Sequence, residues 1–425
     1  MKNFLFSFVI ISSVIFAQPQ NKRPESIPII PFETNVTALP DTTGEYSIYY
    51  TYKIPYRLLI FERNDDIFEA EFRIMVEIKD EDDNLITRDI KDNDLIVGNF
   101  DETNNPRLVL QDYLQFVVKP GDYKINAIIS DRNSSGERPL KPIDIDLKKI
   151  NEVTVLDPLV VNSNKMECNG SDAFILANSG GKIPFSNEEF DLIIPIVDTT
   201  LNELDLVLEN NGKEIFSGKL ENPQVNGIDI NKCDQSIVLV ESPTHMKTRN
   251  FIVKKVNKKL NEGVLVLKIK NDEKDLDEEI NMNVVWFNKP LSLYNPEKAI
   301  ELLSYIETES VVDSLLNEDE DDYPMVLQNY WSKFDPTPET SFNEIMFEYY
   351  SRADYAIKEF SSITNNNGAK SDRGMVYMKF GKPDKVDRHS SAQGEVVEIW
   401  TYSGSERNFT FIDKIGTGNF TLIEN

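Results

Sequence analysis

Histidine is nearly missing from this chain. Its 425 residues hold two, His245 and His389, which fall in different predicted domains and so argue against a metal site built on paired histidines. Cysteine is as scarce, with Cys168 and Cys233 alone. No Gly-x-Ser-x-Gly elbow, His-Glu-x-x-His helix, phosphate loop or dinucleotide fingerprint occurs, and no cofactor or metal is implied. Positive charge is in deficit: 45 basic against 72 acidic residues give a formal net charge of -27. Such a chain repels phosphate backbones, which speaks against nucleic-acid binding and for a solvated acidic surface. Long apolar runs are missing too. The one from Phe4 to Phe16 falls short of the about 20 residues that span a bilayer, and nothing later is apolar enough to cross.

What is present begins with that short run. Lys2 precedes it, and Ala17 offers a small residue before Gln18, the pattern of a cleavable signal peptide over residues 1–17. No cysteine follows at once, so lipid attachment at a cleaved N-terminus is not expected. The mature chain reads as exported: periplasmic, outer-membrane-associated or extracellular. In such a compartment Cys168 and Cys233, in one predicted domain, are candidates for a disulfide, with two free buried thiols as the alternative.

Residues 18–43, with Pro19, Pro24, Pro28, Pro31 and Pro40 and little periodicity, read as an extended leader. Alternation then sets in. Phe68, Ala70, Phe72, Ile74, Val76 and Ile78 interleave with mostly polar residues, and Tyr123, Ile125, Ala127 and Ile129 repeat the pattern after the Pro120-Gly121 turn. Period two buries one face of a strand and wets the other, so residues 44–150 are expected to form a β-sandwich, immunoglobulin-like. A second is expected over 158–290, where Leu204, Leu206 and Leu208 lead into Asn210-Asn211-Gly212, a hairpin signal because Asn and Gly tolerate positive φ. The fold class is therefore mainly β and multidomain: two antiparallel β-sandwich domains followed by a C-terminal α+β domain.

That last domain, residues 293–425, opens on a helix start at Asn295-Pro296-Glu297. The run from Glu318 to Asp322 lacks the glycine and spacing of a calcium loop and reads as an acidic linker. Ser341 and Glu344 suggest a capping box. Phe342, Ile345, Met346, Tyr349, Ala353, Ala356, Ile357 and Phe360 then share one helical face, with Glu348–Arg352 and Asp354–Lys358 able to pair on the other. From Met375 to Phe380 the pattern reads as a strand, starting a small antiparallel sheet through Trp400, Tyr402, Phe409 and Phe411. Trp331, Tyr349, Phe360, Tyr377 and Trp400 are expected to converge in its core.

The same stretch carries spaced motifs: Trp331, Asp335-Pro336-Thr337-Pro338, Gly368 with Asp372-Arg373-Gly374, the series from Val376 to Phe380 with Gly381, Pro383 and Asp384, and Glu398 with Trp400 and Tyr402. Together they resemble the GWxTD-domain family of secreted bacterial proteins. The resemblance implies no activity, because the family has no established biochemical role. Two positions depart from the pattern: Ala369 stands where the family has tryptophan, and Ser371 where it has threonine. Asp335, Asp372 and Arg373 are the polar motif residues that would form a binding edge. Their structural alternative is helix capping and a buried Asp–Arg pair. The expected function is that of a non-catalytic binding or scaffold component interacting with other envelope proteins. The alternative is an envelope hydrolase acting on glycan or peptide through carboxylates that no motif identifies.

Overall fold

The computed structural model describes residues 32–103, 105, 108–132, 136–150, 154–198, 200–362 and 365–424. The expected signal peptide lies outside them. The described residues are mainly β, in five sheets. Sheet I joins strands Glu33–Pro40, Tyr46–Pro55 and Val109–Val118, all antiparallel. The strand Glu33–Pro40 corrects the expected leader: Leu39 is buried and Val36 nearly so, because alternate positions of this segment face the same core as their neighbour strand. Sheet II places Ile67–Asp80 between Leu85–Val97 and Gly121–Asp131. Its inner positions, Phe72, Ile74, Val76 and Ile78, are fully buried.

Sheet III is built around Phe190–Val197, where every residue is buried. A strand buried on both faces reads as a continuous apolar run instead of an alternating one. One side chain set, Leu192, Ile194 and Ile196, packs on Leu204, Leu206, Leu208, Leu265 and Leu267 of sheet IV. The opposite set, Ile193 and Val197 with Leu159, Ile230 and Leu239, joins the core of sheets I and II. The mainly antiparallel β architecture is as expected, and the two β regions meet at a shared core. Sheet IV contains the predicted hairpin, Glu203–Asn210 with Lys213–Glu221. Asn211 and Gly212 both sit at positive φ, 52° and 77°, as a two-residue turn of this kind requires.

The junction between sheets I and III is polar. Tyr46–Pro55 turns Ile48, Tyr50, Tyr52 and Ile54 one way and Ser47, Tyr49, Thr51 and Lys53 the other. Tyr52 donates to Asn93 of sheet II at 3.0 Å. On the opposite face Tyr49 donates to Asp229 and contacts His245 Nε2 at 3.1 Å. Asp112 accepts from Lys91 at 2.7 Å and from Lys232 at 2.8 Å, which ties sheet II, sheet I and sheet III at one carboxylate.

The C-terminal region follows through an aromatic joint in which Phe185, Trp286 and Phe342 meet with centroids 5.3–5.4 Å apart. Asn295 caps the helix Pro296–Leu302. The long helix Glu344–Glu359 is capped by Asn343, whose side chain accepts from Met346 N, so the expected Ser341 capping box does not form. Glu348 and Arg352 pair at 2.7 Å. Asp354, expected to pair with Lys358, instead accepts from Ser292 N at 3.0 Å. Residues Asp372–Phe380 are a helix, which corrects the strand expected from Met375. Ser371 supplies its cap, and the apolar residues Val376, Tyr377 and Met378 fit a buried helix side as well as a short strand, an ambiguity inherent in brief apolar runs. Sheet V, ordered Lys385–Ser390, Val396–Tyr402, Arg407–Asp413, Thr421–Glu424, lays Trp400, Phe409 and Phe411 on these helices.

Candidate binding site

The polar motif residues singled out from the sequence make their bonds within the domain. Asp335 accepts from Thr337 N at 2.9 Å, closing the Asp-Pro-Thr-Pro turn on itself. Asp372 accepts from Leu422 N at 2.7 Å, which pins the start of its helix to the last strand. Arg373 pairs with Glu398 at 3.2 Å, with about a tenth of each side chain exposed. Its guanidinium lies 3.9 Å over the Phe420 ring and 5.1 Å over Phe360. Burial pulls this guanidinium below its ordinary pKa, and Glu398 opposes that shift. The predicted Asp–Arg pair is thus replaced by two separate ties, Asp372 to backbone and Arg373 to Glu398. Asp335 bonds within its own turn and is not brought to either.

The glycines and small residues of the motif are dictated by space. A Cβ on Gly374 would lie 2.1 Å from Gly368 O and 2.7 Å from Ala369 Cα. One on Gly368 would lie 2.2 Å from Ala356 O. The turn before the helix therefore presses against both the long helix and its own next turn. Ala369, in the position of the family's tryptophan, is fully buried there. Ser371 Oγ donates to Gly368 O at 2.6 Å and accepts from Gly374 N at 3.1 Å, a role that needs only the hydroxyl.

The five aromatic residues singled out from the sequence all enter one core, in two groups. Trp331 meets Tyr349 at 5.1 Å, and its indole donates to Tyr350 at 3.3 Å. Phe360 meets Tyr377 at 5.5 Å and Trp400 at 5.3 Å. Burial pushes the Tyr377 phenol up to about 12. Cys168 and Cys233 are joined in a disulfide that links two hairpins of sheet III.

Residues 267–423 match the sequence profile of the GWxTD domain. The C-terminal region is a GWxTD domain. Its matched span reaches back to include the last two strands of sheet IV, Gly263–Asn271 in part and Leu276–Val285 whole. The aromatic joint at Trp286 therefore lies inside the domain as matched. A search of curated proteins finds no match. Among solved structures, a tandem of titin Ig domains aligns with 60% of this chain and 98% of its own length, at 7% identity and a TM-score of 0.14. A serine-rich repeat adhesion glycoprotein from Streptococcus agalactiae aligns with 59% of this chain and 96% of its own, at 11% identity and a TM-score of 0.16.

A concave feature that the sequence did not announce lies away from the GWxTD domain, between sheets I and II. It is an apolar cleft of about 270 Å³ whose walls include Ile54, Leu58, Ile60, Phe72 and Ile129, with Glu71 and Arg138 also lining it. Glu71 is held by Arg132 at 3.4 Å. The wall is assembled from short segments far apart in the chain, around residues 54–60, 70–72, 129–131 and 136–138, so no local spacing announces the cleft. Among the described residues no cluster of His, Cys, Asp or Glu has the makings of a metal site, and no helix is long and apolar enough to cross a membrane.

Proposed function

We propose that this protein is an exported cell-envelope component that binds other envelope proteins and performs no catalysis. The observation that carries the reading is the use made of the polar motif residues. Asp335, Asp372 and Arg373 bond to Thr337, Leu422 and Glu398, which supports a GWxTD signature that fastens its own fold instead of presenting these side chains to a substrate. The Cys168–Cys233 bridge supports export, because such bonds persist in oxidising compartments. The apolar cleft between sheets I and II suits an apolar side chain of a protein partner, since such pockets bind by burying nonpolar area with a few polar groups at the margin.

Affinity purification from the native cells, followed by binding measurements with the purified partner, tests the reading. Ile60, half exposed in the cleft wall, gives the probe. Ile60→Asp is expected to abolish partner binding while leaving the melting temperature within about 2 °C, as surface substitutions do. Hydrolysis of cell-wall glycan or of envelope peptides by the purified protein, lost on substituting one carboxylate, would instead support a hydrolase.

A further inference from the structure

Among the edge strands described, one has a conspicuous surface. Leu85–Val97 is thirteen residues long and pairs along one side with Ile67–Asp80. No strand pairs with its other side among the described residues. It contains no proline, and it exposes Leu85, Ile86, Ile90 and Ile96 by 47–60%. Long apolar edges are templates for pairing with another chain unless something blocks them.

The backbone shows which residues address the free side. Ile90 N–H is bonded at 2.8 Å by the side chain of its neighbour Asp89 and so does not serve the ladder to Ile67–Asp80. In an antiparallel strand the pairing direction alternates, so Arg88, Ile90 and Asp92 all point their backbone groups outward, and a partner strand at Ile90 would take the place of the Asp89 side chain.

The side chains then select a partner. Around Ile90 the sequence runs Arg88, Asp89, Ile90, Lys91, Asp92, in which each charge is the opposite of the one equally distant on the other side. Two copies of this strand laid antiparallel about Ile90 place Arg88 opposite Asp92 and Asp89 opposite Lys91, twice each by symmetry. Ile90 faces its own counterpart. Moving the axis by one residue to Lys91 sets lysine against lysine, and moving it to Asp89 sets aspartate against aspartate. Directly opposite like charges destabilise a strand pair and unlike charges stabilise it, so the pattern favours the Ile90 register alone. We infer that the free edge of Leu85–Val97 pairs with the same edge of a second copy of this chain, joining two sheets II across a twofold axis at Ile90. Such an interface is isologous. One strand edge buries less than a standard stable interface, so the dimer forms with rising concentration.

Sedimentation velocity on the whole protein over a concentration series reads the association. The wild type is expected to dimerise reversibly, and Arg88→Asp, which sets aspartate against Asp92, to weaken the dimer by about tenfold or more. Adding Asp92→Arg to that variant restores the pairing between copies. It cannot restore anything within one copy, where Arg88 pairs with Glu77 and Asp92 with Arg73, so a merely structural effect would worsen. Ile90→Cys gives a second readout that needs no charge change: mild oxidation should link two copies at the axis, since the described cysteines are already bonded to each other. A wild type that stays monomeric throughout the series overturns the inference. So does a double variant no more dimeric than Arg88→Asp, or an Ile90→Cys protein that oxidises without forming the linked dimer.

Discussion

Gly374 shows at single-residue scale how the GWxTD motif works. It lies inside the helix Asp372–Phe380, where alanine ordinarily stabilises by about 1 kcal/mol relative to glycine. Here the added methyl would sit 2.1 Å from a backbone oxygen that cannot rotate away. Gly374→Ala is therefore expected to destabilise, by about 1–3 kcal/mol as overpacking does, and a chemical denaturation curve gives the sign directly. The same scale marks the limit of sequence reading. The aromatic residues Trp331, Tyr349, Phe360, Tyr377 and Trp400 were legible as core from helical spacing and composition. That Arg373 would stack on Phe420 and pair with Glu398 was not, because those partners are 47 and 25 residues away in the chain and no periodic signal links them.

At the scale of elements, strands that alternate were readable and strands that do not were not. Ile67–Asp80 buries every second residue and stands out in sequence. Glu33–Pro40 hides behind the prolines around it, and Phe190–Val197 is apolar on both faces apart from Asp191, so no alternation marks its period. Met375–Phe380 failed for the opposite reason, being too short for its period to separate helix from strand. The cap from Ser371 decides the matter. Sheet III also owes stability to the Cys168–Cys233 bridge, which closes a separation of 65 residues. A loop of that length constrains the unfolded chain by about 4 kcal/mol in the chain-entropy account. Replacing both cysteines by alanine should lower the denaturation midpoint accordingly, and an unchanged midpoint would show that the bridge adds little to this sheet.

Across the whole molecule, charged groups are committed both where sheets meet, as at Asp112, and within a sheet, as at Asp191. Burial alone would push the Asp112 carboxyl up, but hydrogen bonds from Lys232, Lys91 and Tyr113 N outweigh it and hold the group below its ordinary value of 3.8. Asp191 is likewise lowered: burial raises it, and Lys254, Lys255 N and Ser163 prevail. A carboxyl whose folded pKa is depressed stabilises the native state above its unfolded pKa, and that contribution disappears as pH falls through the folded value. Acid titration of unfolding should therefore show stability falling below about pH 4, and Asp112→Asn should be less stable at neutral pH with a shallower acid limb. A wild-type acid limb in that variant would mean the joint is held by packing alone.

These scales meet in the claim that the GWxTD signature is an internal fastening of its domain. Trp400 is the residue on which that claim bears most directly: it is 3% exposed and packed between Phe360 and Phe411. Calorimetric melting of Trp400→Ala measures it. The predicted result is a loss of about 3–5 kcal/mol from the C-terminal unit. A wild-type melting profile, accompanied by loss of partner binding, would contradict the account and make the aromatic group the site itself.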